Sequence, residues 1–163
     1  MKGLFISLPF LLLCNTFVVQ AQSSNGKKIE STAKHNAWLK QQFSQQHQKL
    51  IPIVAVADML YSCNIARQVE PVTYKLENLI VTMDKNRLAQ KLIECLGDDD
   101  IKSDVALNFG LEGCFYEQLS HLPIAERQQK MALVKKAILS LSHRERQKSL
   151  TQCVTEQAIH YLQ

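Results

Sequence analysis

The sequence predicts an all-α protein, a compact bundle of five to seven helices stapled by two disulfides. Three observations carry this. Only 5 glycines and 4 prolines occur among 163 residues, which argues against collagen-like, linker-rich and turn-rich all-β architectures. Apolar residues make up 46%, too many for a disordered chain, and they recur at helical spacing in almost every segment. The four cysteines beyond residue 21 share one local frame, Leu-x-x-Cys, and an even number suits a disulfide framework. One domain of ordinary size fits this length.

The N-terminal residues are set aside from the fold. Lys2 supplies a positive n-region, and Leu4–Leu13 forms an apolar core too short to cross a bilayer as a helix. Val19-Gln20-Ala21 then places small or modest side chains at a cleavage site. Residues 1–21 therefore read as a secretory signal peptide, with the mature chain starting at Gln22 in a periplasmic or secreted setting. A lipoprotein reading of Leu11-Leu12-Leu13-Cys14 is disfavoured by the bulk of Leu13. No second apolar run approaches the ~18–20 residues of a transmembrane helix. Removing Lys2 takes the 19 basic residues to 18 against 15 acidic ones, a net charge of +3.

Residues 22–32 lack periodicity and read as a flexible polar arm, with a single α-helical domain over 33–163. A helix starts near Ala33 and runs through Trp38, Leu39, Phe43 and Leu50, with Pro52 either kinking it or ending it. Pro71 is placed as the first-turn proline of a helix holding Leu76, Leu79 and Ile80. Asp84 caps the next helix, whose stripe is Leu88, Leu92 and Leu96 and whose stop is Gly97. Ser103 or Asp104 caps a helix reaching about His121. Pro123 opens one carrying Met131, Val134, Ile138 and Leu141. Ser142 and Glu145 match a capping box for the last helix, with Leu150, Cys153, Gln157 and Tyr161 on one face.

Cys63, Cys95, Cys114 and Cys153 each follow a leucine by three residues, so each lies on the apolar stripe of its helix. Core disulfides explain this better than a thiolate metal site, because no Cys-x-x-Cys pair occurs. In a helical hairpin Cys95 and Cys114 differ in height by ~12 Å, beyond the ~7 Å that a disulfide allows. That disfavours Cys95–Cys114 and with it Cys63–Cys153. Of the remaining pairings, Cys63–Cys95 with Cys114–Cys153 is preferred, because each bond then joins helices close in sequence.

The last two cysteines also share Cys-x-x-Glu-Gln-x-x-His. Glu117 with His121, and Glu156 with His160, are four apart on a helix, the spacing at which two side chains share a metal ion. The plainer reading is two solvated helix faces with histidines near helix C-termini. No metal ligand is committed on this basis, and no cofactor is implied. His35, His47 and His143 sit in polar contexts and are read as surface residues. Asp98-Asp99-Asp100 reads as a solvated turn, lacking the alternation of a calcium loop.

No nucleophile elbow, phosphate-cradling loop, His-Glu-x-x-His or haem-attachment motif occurs, so no catalytic residue is assigned. Charge is segregated: residues 97–123 carry a net −5 and residues 124–163 a net +4. Modest charge and export argue against nucleic acid. An intramolecular or partner-facing electrostatic match fits better. The sequence thus points to an exported non-catalytic binding or accessory protein whose partner is another exported or envelope protein. This covers a partner-binding subunit, an inhibitor or immunity-type factor, or an envelope-assembly helper. The alternatives are a metal-binding protein or metal-dependent hydrolase using the Glu/His positions, and a chaperone with an apolar groove.

Overall fold

The structure is a computed structural model that describes residues 24–162, with side chains from Glu30 onward. The signal-peptide reading of residues 1–21 lies outside the described residues. Helix α1 spans Ser24–Arg67, α2 Lys85–Leu96, α3 Asp104–Gln118, α4 Ile124–Ser140 and α5 His143–His160, with a π-helical turn at Asn78–Thr82 before α2. No strand occurs among the described residues. The chain divides into two units, one ending at Ala37 and one starting at Trp38. The core and both disulfides belong to the second.

Helix α1 begins at Ser24 rather than near Ala33, so residues 24–32 are helical where a polar arm was expected. Once a helix is nucleated, each added residue costs little. Lys34 also pairs with Glu30 at 2.6 Å across one turn. Pro52 lies inside α1 and does not end it. Its ring faces the exposed side, where water can take the carbonyl that loses its amide donor. The stretch Glu30–Arg67 contains an 18-residue segment apolar enough for a membrane span, yet half of that segment is buried inside the protein. Buried Val54, Ala57, Leu60 and Cys63 mark it as a core helix.

The chain leaves α1 through Gln68 at φ 49, the left-handed conformation that ends many helices. Asn64 then fixes the next segment. Its amide donates to the carbonyls of Glu70 at 3.2 Å and Val72 at 3.0 Å, and its carbonyl accepts from the Glu70 amide at 2.9 Å. Pro71 consequently sits in a non-helical bend, not in the first turn of a helix as its position suggested; helical geometry starts only at Leu76. Leu76, Leu79 and Ile80 are buried as expected.

The helix caps match the sequence. Asp84 accepts from the amides of Asn86 at 3.0 Å and Arg87 at 3.1 Å. Gly97 ends α2 at φ 61, and Ser103 caps α3 through the Ala106 amide. Ser142 and Glu145 form the full capping box of α5. Helix α3 ends at Gln118, short of His121, where the chain passes into tighter turns closed by the Ser120 amide on the Glu117 carbonyl and the Leu122 amide on the Leu119 carbonyl.

Helix α3 packs on both α4 and α5. Three contacts fix α3 and α5 as parallel. At one end Asp104 meets Arg146 at 2.7 Å, and in the middle Cys114 bonds Cys153. At the other end the Tyr161 hydroxyl donates to Glu117 at 3.0 Å. The pairing is Cys63–Cys95 and Cys114–Cys153, with Cα separations of 6.2 and 6.3 Å. Two arginines reinforce it by capping helix C-termini. Arg67, one turn beyond Cys63, donates to the carbonyls of Cys95 at 2.9 Å and Leu96 at 2.5 Å and pairs with Asp99 at 2.5 Å. The Asp98–Asp100 turn is thus tied to α1. Buried Arg146 donates to the Ile138 carbonyl at 3.1 Å while holding Asp104.

Candidate functional site

Helix α4 is the least buried of the helices in the core. Of its 17 residues only Met131 and Ile138 are buried, while Ile124, Leu133 and Leu139 are each more than 60% exposed. The face holding Ile124, Arg127, Gln128, Met131, Ala132 and Lys135 lines an open cleft of about 410 Å³. The opposite wall is α1 at Tyr61, Ser62, Ile65 and Ala66, and α3 supplies Glu112 and Tyr116 as the floor. The α4 positions fall at intervals of three and four, so one helical face runs along the cleft for about 16 Å at 1.5 Å per residue.

The floor is aromatic and cationic. The Tyr61 and Tyr116 rings lie 5.0 Å apart, tilted at 41°, and the Arg127 guanidinium stacks 4.7 Å above the Tyr116 ring. Burial pushes the Tyr61 phenol above its ordinary range, helped by its hydrogen bond with Tyr116, so it stays neutral. Lys135 pairs with Glu112 at 3.1 Å. Arg127 donates one long bond to the Ser120 carbonyl at 3.4 Å. Among the described residues no carboxylate pairs with it. A second groove, of about 370 Å³, shares Tyr61 and Ile65 and continues over Pro71–Tyr74. Its acidic member, Glu70, is held by Tyr74 and Lys91, and the Lys91 bond draws its carboxyl below the usual range.

The four candidate metal ligands are not brought together; among the described residues no group of three His, Cys, Asp or Glu side chains converges. Parallel α3 and α5 set the heights of Glu117 and Glu156 but turn them differently about their axes. Glu117 is half-buried and accepts from Tyr161, whereas Glu156 is exposed and accepts from Gln152 of its own helix at 3.0 Å. His121 and His160 are exposed, with His160 edge-on to the Tyr161 ring. Of the histidines read as surface groups, His35 and His143 are exposed. His143 pairs with Asp104 at 2.7 Å, which holds that carboxyl below its ordinary range. His47 differs: it is half-buried, its Nε2 lying 2.8 Å from the Thr155 carbonyl oxygen.

A buried polar pair, which nothing local in the sequence marks, joins α1 to α5. Asp58 of α1 is fully buried and accepts from the Gln157 amide of α5 at 3.1 Å. Asp58 Oδ2 and Gln157 Oε1 are both buried without a partner. Burial pushes the Asp58 carboxyl well above its usual range; the Gln157 bond opposes this and the Glu117 charge adds to it. A protonated Asp58 turns Oδ2 into a donor. The unfolded chain releases that proton near pH 4 while the folded one keeps it, so stability falls as pH rises between those two pKa values. Asp58→Asn supplies the donor without the titration. Its advantage over wild type in urea unfolding should grow by about 1.4 kcal/mol per pH unit above pH 4, until the folded-state pKa is passed. Parallel pH profiles for the two proteins would refute this.

Compared with known proteins, the chain matches no family model, no curated protein and no solved structure at a significant level.

Proposed function

We propose that the protein is an exported, non-catalytic binding or accessory protein that takes up another exported or envelope protein in the cleft between α1 and α4. The observation that carries this is α4 itself. It is anchored to the core by Met131 and Ile138 while its Ile124–Lys135 face lines an open groove. Tyrosine, arginine and methionine, all present in this cleft, are residue types enriched at protein interfaces. Two disulfides are compatible with an oxidising compartment, and the Leu4–Leu13 run with Val19-Gln20-Ala21 supports export into one.

A photo-crosslinking amino acid at Gln128, which lines the cleft, tests the reading in the native host. A discrete adduct is expected. It should disappear when Ile65→Arg is added, a change at a 56% exposed position that should alter stability by no more than about 0.5 kcal/mol. No adduct, or one indifferent to Ile65→Arg, would overturn it.

A further inference from the structure

We propose that the occupant of this cleft is an acidic amphipathic helix of the partner, its apolar face against Tyr61, Ile65 and Ile124 and a carboxylate on Arg127. The proposal rests on the cleft being the binding surface and goes on to name what that surface recognises.

Two features select the occupant. The walls are helices, whose amides and carbonyls bond internally; they offer no strand edge on which an extended segment can pair. Recognition must therefore run through side chains, and a groove about 16 Å long between helical walls accepts the apolar stripe of another helix. Charge decides the rest. Helix α4 carries Arg127, Lys130, Lys135 and Lys136 against the single acid Glu126. Lys130 is paired with Glu126 at 3.6 Å and Lys135 with Glu112 at 3.1 Å. Arg127 and Lys136 have no carboxylate partner among the described residues, and of these two only Arg127 lines the cleft, where its position on the Tyr116 ring holds the guanidinium in place beside the apolar wall. A planar guanidinium held by stacking keeps its fork of N–H donors for a carboxylate, and such a bond strengthens when apolar side chains exclude water around it.

The test uses the full mature protein and two stapled helical peptides of about four turns, roughly 15 residues. Both carry one leucine stripe. One bears glutamates flanking the stripe and the other lysines at the same positions. By fluorescence anisotropy the glutamate peptide should bind at least about tenfold more tightly, as expected for a charge-assisted contact in a partly dry site. Arg127→Glu should reverse the order and Arg127→Gln should abolish the preference, with melting temperatures unchanged. Equal binding of the peptides, binding of neither, or a preference that survives Arg127→Glu would overturn the proposal. So would binding to anionic vesicles in place of both peptides. A Gln128 crosslink in the host that persists alongside any of these results leaves the cleft as the binding surface and refutes only its occupant. Absence of the crosslink in the otherwise unchanged protein refutes the cleft.

Discussion

Replacing Cys114 and Cys153 together with alanine is expected to lower stability by about 4 kcal/mol. The bond closes a sequence separation of 39 residues, and in the chain-entropy picture a loop of that length contributes about this much through the unfolded state. The Cys63–Cys95 bond spans 32 residues and should contribute nearly the same, because loop entropy grows only with the logarithm of length. Cutting either bond lets the unfolded chain expand, so the urea m-value should rise as the midpoint falls. Domains of this size hold about 5–15 kcal/mol in total, so losing both bonds consumes most or all of it. Reductant should therefore unfold the protein, as seen by circular dichroism. That outcome would tie the fold to an oxidising compartment through its own thermodynamics. An unchanged midpoint in dithiothreitol would refute the ledger of two stabilising crosslinks.

What could be read from the chain follows a physical divide between local and rotational information. Caps are local: Asp84, Ser103 and the Ser142/Glu145 box act on amides within three residues, Gly97 donates its own amide to the Ile93 carbonyl four residues back, and all four occur as expected. The disulfide pairing was accessible in part: height along a helix, fixed by counting residues, disfavours Cys95–Cys114, and nearness in sequence then favours the pairs that form. Rotation about the axis is not. The Glu117/His121 and Glu156/His160 spacings place each pair on one helical face but do not say which way that face turns. In the fold Glu117 is half-buried beside Tyr161 while Glu156 is exposed. The α4 stripe shows the same gap in reverse. Periodicity identified Met131 and Ile138, which are buried; nothing local says that Ile124 and Arg127 would line a cleft. The Asp58–Gln157 pair joins residues 99 apart, and an acid inside an apolar run carries no mark of its eventual partner. Pro71 is ambiguous because proline suits both a first helical turn and a turn or bend outside a helix. Asn64, seven residues earlier, decides between them.

Gly113→Ala is expected to cost about 3 kcal/mol net of the roughly 1 kcal/mol that alanine gains over glycine inside a helix. A Cβ at Gly113 would lie 2.4 Å from the Asp58 carbonyl oxygen and 2.7 Å from its carbonyl carbon and Cα. These are backbone atoms of α1, so α1 and α3 must separate to admit the methyl. Gly110 offers the control. A Cβ there meets the Leu150 methyl ends at 3.0 Å and Met59 Cγ at 3.2 Å, flexible atoms that can shift. Gly110→Ala should therefore remain within about 1 kcal/mol of wild type, its packing strain set against the same helix-propensity gain. Equal urea midpoints for the two variants would refute the backbone crossing. The crossing also bears on the cleft, because three residues beyond Asp58 and Gly113 stand Tyr61 and Tyr116, whose rings meet on its floor. Forcing α1 from α3 separates those rings and disturbs the surface on which Arg127 stacks. Gly113→Ala should thus weaken both the Gln128 crosslink and the preference for the glutamate peptide, while Gly110→Ala preserves them.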